Sequence, residues 1–263
     1  MQPPQNLLKR KLQQSAVTLG LWVTLESPTI TEIAATLGLD WVCIDAEHGH
    51  LDLKEIVDHI RAARQTATTV LVRIQEIEQG LIKRVLDIGA EGIIVPQVTG
   101  TADVEQAVRF AKYPPWGIRG VGGERATHWG LGLKSYTRSA DRETLVIPLI
   151  ETVAAARDID NILAVAGVDA IFLGPADFSA SSGFLGEWEG PGVAEQLLLI
   201  KDKARERGLA CGVMATDVKN AVTRREQGFR MIGLGADTGL LIRALVEGMT
   251  ALGEGPRSPE ARG

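Results

Sequence analysis

Short, almost wholly apolar runs recur along the chain, and between them apolar residues fall at helical spacing. The runs cover residues 17–25, 41–45, 69–74, 92–96, 145–150, 170–173, 209–213 and 231–234. A strand with one wet face alternates apolar and polar residues; these do not, so each must be covered on both sides, as in a parallel sheet wrapped by helices. Eight such units predict a single (β/α)8 TIM barrel, an α/β fold. A doubly wound open sheet would show the same alternation, but eight units, with polar residues gathered just after several different strands, favour closure. Thr29 with Glu32 and Asp52 with Glu55 have the spacing of capping boxes at helix starts, and Gly38, Gly89, Gly167, Gly208 and Gly228 fall where helices should end.

Two stretches break the period. Residues 113–133, YPPWGIRGVGGERATHWGLGL, hold too much Pro and Gly to continue a helix, and residues 174–190, GPADFSASSGFLGEWEG, follow the sixth run directly. Long loops in compact domains tend to be functional. The chain reads as one barrel domain over residues 1–252, followed by a polar, Pro-containing tail over 253–263 that is expected to be disordered.

Composition acts mainly by exclusion. The 263 residues carry 28 Lys and Arg against 33 Asp and Glu, interspersed, for a net charge of −5. That offers no basic footprint for nucleic acid. No run approaches the ~18 apolar residues of a membrane span, and the N-terminus lacks a leader pattern, so a soluble cytoplasmic protein acting on small molecules is expected. Cys43 and Cys211 sit inside apolar runs and read as reduced core thiols.

In a barrel, side chains at the carboxyl ends of the strands converge on one mouth, so polar residues there are the candidates for chemistry. Glu151 closes LVIPLIE and Asp177 lies three residues past IFLG, so neighbouring strands deliver two carboxylates together. Such a pair suits Mg2+, Mn2+ or Co2+, with positions left open for a substrate's oxygens; alternatively, Glu151 caps a helix and Asp177 makes a turn. Asp45 precedes His48 by three residues at the end of the second run. It could orient that imidazole as a general base or acid, or His48 could be a solvated turn residue. Glu47 is a candidate for outer support. Arg73 ends the third run, where a guanidinium could hold a carboxylate or an enolate oxygen, or form a structural ion pair with Asp45, Glu47 or Glu151. No lysine ends a strand, which leaves a metal rather than a Schiff base to stabilise a carbanion. Gly233, Gly235 and Gly239 give a weak phosphate-loop signal.

The segments WVCIDAEHGHLD, YPPWGIRGVGG and IFLGPADFSASSG, with LIET between the last two, closely resemble the metal-dependent class II pyruvate aldolases related to 4-hydroxy-2-oxoheptanedioate aldolase. That wider family includes 2-dehydro-3-deoxygalactarate aldolase, 2-keto-3-deoxy-rhamnonate aldolase, macrophomate synthase and the citrate lyase β subunit. The likeness runs over residues 19–252, with the motifs in family order. It implies cleavage of a 4-hydroxy-2-oxo acid to pyruvate and an aldehyde, with a divalent cation and no organic cofactor. By the same resemblance Glu151 and Asp177 are metal ligands, His48 with Asp45 is the acid–base pair, and Arg73 stands beside the enolate. Gly174, Pro175 and Ala176 lie at the pyruvyl carboxylate, and Trp22 is an aromatic of the pocket. A homo-hexamer, a trimer of dimers exchanging the last helix (residues 237–252), is implied as well. Leu149 departs from the family's usual Gln two residues before the metal-binding Glu, and PLIET reads closer to the citrate-lyase side. That keeps a CoA-thioester lyase open as an alternative, although no basic cluster awaits the CoA phosphates; a non-catalytic 2-oxo-acid-binding barrel is the other.

Overall fold

The computed structural model describes residues 5–256; the end of the expected tail, residues 257–263, lies outside the described residues. Strands β1 (Thr18–Val23), β2 (Trp41–Asp45), β3 (Thr69–Arg73), β4 (Gly92–Val95), β5 (Leu145–Ile150), β6 (Ala170–Leu173), β7 (Ala210–Met214) and β8 (Met231–Ala236) each pair in parallel with the next, and β8 returns to β1. The sheet is a closed barrel, as the eight apolar runs predict. β1 is shorter than its run because the backbone N–H groups of Thr24 and Leu25 turn away to the Asp237 carboxylate, at 3.1 and 2.9 Å. At the helix starts, the Asp52 N–H donates to Glu55 at 3.1 Å, as its spacing predicts. Thr29 is not a cap: the helix Pro28–Thr36 begins at Pro28, whose fixed φ and missing N–H suit the first helical position.

The strands bury both faces, and two apolar layers result. Outward-facing residues such as Val42, Ile44, Val70, Val72, Ile171 and Leu173 pack beneath the helices. Inward-facing Trp41, Leu71, Ile94, Leu145, Ile147, Phe172 and Met231 fill the barrel, and Leu8 and Leu12 of the first helix (Leu7–Gln13) plug its lower end. The interior works by matching large against small. A Cβ at Gly20 would fall 2.0 Å from the Trp41 ring, and one at Gly212 2.3 Å from Phe172. The two rings meet edge to face at 6.0 Å, a favourable aromatic geometry. Cys43 and Cys211 are buried free thiols, pushed upward by desolvation, in keeping with inert core residues.

The segment between the helices Thr101–Ala111 and Leu133–Glu143 leaves the first helix at its C-terminal end, and its Arg119 and Arg125 reach Asp87 and the Ile88 carbonyl where the chain turns into β4, so it packs toward the barrel end opposite the strand C-termini. Residues 113–133 therefore do not line this subunit's own mouth. They are pinned by Arg119, whose buried guanidinium pairs with Asp87 at 2.8 Å and sits 4.8 Å from the Tyr113 ring centre. Among the described residues no helix is long and apolar enough to cross a membrane.

Gly20→Ala should cost about 2 to 3 kcal/mol, because β1 must move against a close-packed indole. Urea unfolding will show this as a lower midpoint at unchanged slope.

Candidate active site

Parallel register sets Asp45 of β2 directly against Arg73 of β3. Both side chains turn into the mouth, and the guanidinium grips the carboxylate with two bonds, Nε to Oδ1 at 3.0 Å and Nη2 to Oδ2 at 2.5 Å. Trp22 Nε1 donates to Oδ2 at 3.0 Å, and the backbone N–H groups of Glu47 and His48 donate to Oδ1 at 3.1 and 3.2 Å. Burial pushes the Asp45 carboxyl up, but the Arg73 hydrogen bonds and charge, aided by His48 N–H and Trp22, outweigh it and hold the group below its ordinary value. These five donors use up what a carboxylate can accept. Asp45 thus holds the His48 main chain, whereas the spacing suggested a bond to its imidazole. The imidazole lies exposed at the rim.

Arg73 is 8% exposed, and its desolvation is outweighed by the pull of Asp45 and Glu47, so it stays charged. Its Nη1 lies 2.8 Å from Glu47, and its guanidinium sits 5.1 Å from the Trp22 ring centre. The sequence admitted either an enolate contact or a structural ion pair; the ion pair is present, and its hydrogen bonds to Asp45 take two of the five guanidinium hydrogens, with Nη1 in ion-pair contact with Glu47. The others remain free for a ligand. Glu47, read from sequence as outer support, is drawn into the same cluster.

Glu151 follows β5 and is 1% exposed. Its Oε1 accepts the Gln97 N–H at 2.6 Å, while its Oε2 is buried without a hydrogen-bond partner. Desolvation, set against the Gln97 N–H and Arg73 and reinforced by the charges of Glu47 and Asp177, pushes its carboxyl up to about 7. Asp177 is half-buried in the first turn of the short helix Pro175–Ser181, which opens at Gly174 just past β6. A Cβ on Gly174 would meet Glu151 Oε2 at 2.8 Å, so only glycine lets this turn pass so close to the carboxylate. Glu47, Glu151 and Asp177 therefore share one mouth and feel one another's charge, with a single guanidinium among them. Among the described residues no group of three or more His, Cys, Asp or Glu forms a full protein cage for a metal. A carboxylate pair with open positions suits a hard divalent ion that keeps waters.

Sequence reasoning missed Gln97. A polar residue straight after the apolar IIVP of β4 was the available signal. No strand among the described residues ends in lysine. Lys112 has the required desolvation, which pushes its ammonium down to about 8, but it donates to the Asp141 and Thr144 carbonyls at 2.8 Å, at the far end of the barrel. A cavity of about 330 Å³ also lies at that end, beside Glu91, Arg125 and Tyr136, and contains none of the mouth residues.

A family model described as HpcH/HpaI aldolase/citrate lyase matches residues 18–244. A hydroxypyruvate/pyruvate aldolase of Pseudomonas aeruginosa is 36% identical over 94% of this chain and 92% of its own length. A 4-hydroxy-2-oxovalerate aldolase of Novosphingobium aromaticivorans is 36% identical over 95% of each. The crystal structure of an HpcH/HpaI aldolase/citrate lyase family protein from Burkholderia cenocepacia superposes with a TM-score of 0.90 at 33% identity, covering 95% of this chain and 100% of that one.

Because the Glu151 carboxyl titrates near 7 in the fold and at 4.5 when unperturbed, the folded protein keeps a proton that the unfolded chain has released. The resulting stability is present below the lower value and lost as pH rises through the higher one. In EDTA, raising the pH from 5 to 8.5 should remove roughly 2 to 3 kcal/mol more from the parent than from Glu151→Gln, read by urea unfolding.

Proposed function

The chain belongs to the HpcH/HpaI aldolase/citrate lyase family, and from that premise we propose that it is a divalent-metal-dependent lyase that cleaves a 4-hydroxy-2-oxo acid to pyruvate and an aldehyde. The observation that carries the reading is the orphaned Glu151 Oε2, buried between the charges of Glu47 and Asp177. Glu151 and Asp177 would hold Mg2+, Mn2+ or Co2+. When bound, that ion supplies Lewis-acid polarisation of the substrate ketone.

The protein's own groups carry the other steps. The backbone from Gly174 through Pro175 and Ala176 borders the substrate carboxylate, and the Trp22 ring walls the pocket. Arg73 turns its free guanidinium hydrogens toward the oxygen that becomes the enolate, while Asp45 and Glu47 fix its plane. His48, at the rim, takes the proton of the 4-hydroxyl directly or through a water as the bond between carbons 3 and 4 breaks. The electron pair stays on carbon 3, and its protonation completes pyruvate. Leu149, apolar where relatives commonly carry an amide, is the one feature that favours a CoA-thioester substrate instead.

Assembly belongs to the same reading. On the helix Asp237–Ala251 only Asp237 is buried, while Leu241, Ile242 and Leu245 are more than half exposed. Such an apolar helix on a one-domain barrel (residues 1–252) supports its exchange between subunits of a homo-hexamer.

The metal-loaded enzyme should release pyruvate from a panel of 4-hydroxy-2-oxo acids and exchange the pyruvate methyl protons for deuterium. EDTA should abolish both, and Arg73→Lys should slow release by about two to three orders of magnitude while remaining folded. Undiminished activity in EDTA would refute the metal role, and release that occurs only from CoA esters would favour the thioester reading. Leu241→Glu combined with Leu245→Glu should lower the mass in light scattering from that of six chains; a parent that is already monomeric would overturn the exchange.

A further inference from the structure

The cavity at the barrel end away from the mouth takes no part in the proposed reaction. Its volume of about 330 Å³ lies at the small end of ligand pockets and suits a molecule of one ring. Ile60, Ala63 and Ala90, which belong to the outer apolar layer, give it an apolar wall. Trp129, 65% exposed, offers a further ring at its edge. Two arginines border it as well: Arg64, just past the helix Leu53–Ala62, and half-buried Arg125. Arg125 Nη1 lies over Gly89, where a Cβ would meet it at 2.5 Å, and donates to the Ile88 carbonyl at 3.2 Å. No carboxylate pairs with it among the described residues; burial, and then the like charges of Arg64 and Arg61, hold its guanidinium below the ordinary value.

Two acids line the same cavity. Glu143 is spent on Arg10 and on the Asn6 N–H, at 3.3 and 2.8 Å. Glu91 is not: one oxygen accepts the Val70 N–H at 3.0 Å, it makes no ion pair among the described residues, and burial pushes its carboxyl up to about 6. The cavity thus holds two cations and an acid that do not neutralise one another, a costly arrangement in partly desolvated surroundings.

We infer that this cavity binds an aromatic carboxylate with a hydroxyl at the far end of its ring. The carboxylate meets Arg64 and Arg125, whose planar forks match it, and the hydroxyl donates to Glu91. The ring lies on Ile60, Ala63 and Ala90, with Trp129 at its edge. No group of the mouth takes part, so the assignment is independent of the metal-dependent reading.

Isothermal titration of the full chain in EDTA, with 4-hydroxybenzoate as the probe, tests it. One molecule should bind per chain. Benzoate should bind roughly tenfold more weakly for want of a hydrogen bond to a charged acceptor, and phenol, which lacks the anion, should give no heat. Arg125→Gln should weaken 4-hydroxybenzoate by about tenfold. Because Arg125 also ties down the Ile88 carbonyl, Arg64→Gln is its companion: the Arg64 side chain is exposed and makes no hydrogen bond or ion pair among the described residues, so this variant should keep the parent's melting temperature while losing affinity about fivefold. Arg73→Lys, at the mouth, should bind like the parent. Binding lost in Arg73→Lys but kept in Arg64→Gln would move the acid to the mouth and overturn the inference. Equal affinity for benzoate and 4-hydroxybenzoate, or a parent that takes up neither, would overturn it too.

Discussion

The mouth of this barrel is organised around one ion pair. Asp45 and Arg73 stand opposite each other in register on adjacent strands, nearly buried and joined by two hydrogen bonds. Neither charge could stay there alone, since a lone carboxylate or guanidinium in that environment would cost several kcal/mol. Once paired, each becomes an anchor. Asp45 collects the Trp22 indole and two main-chain N–H groups and so shapes the turn that carries His48, while Arg73 draws in Glu47. The pair thereby sets where four other groups of the mouth sit.

That arrangement also explains why the remaining charge is unbalanced. Arg73 is engaged by Asp45 and Glu47, and its charge does not offset the burial of Glu151, which keeps one oxygen unpartnered. A fold that only needed a filled mouth would have an apolar residue at this position. The chain instead keeps two acids from adjacent βα units, Glu151 and Asp177, within electrostatic reach of each other, and Gly174 is bare where a side chain would block their approach.

The fold was legible because a parallel sheet buried on both faces writes itself as uninterrupted apolar runs, and eight of them leave few closures. The candidate residues were legible as polar groups following those runs. What could not be read was orientation. Asp45 and His48 are three apart in a turn, and the spacing is equally compatible with a bond to the imidazole or to the main chain; only the coordinates show that Arg73 and Trp22 already fill the carboxylate. Gln97 escaped because its main-chain N–H, and not its side chain, is what reaches Glu151, and a backbone contact leaves no mark in the residue type. Thr29 misled because capping-box spacing is common, whereas Pro28 beside it was the stronger start signal. The loop over residues 113–133 was conspicuous by composition, but composition does not say which end of a barrel a loop occupies.

The plug formed by Leu8 and Leu12 has a kinetic corollary. With its interior packed and its floor sealed, the barrel opens at one end only, so any ligand of the mouth enters and leaves over a single rim. On the proposed reaction, a keto acid held at Glu151 and Asp177 would lie deepest and the aldehyde above it. The aldehyde would then clear the rim before pyruvate, and in the synthetic direction the keto acid would be seated before its partner.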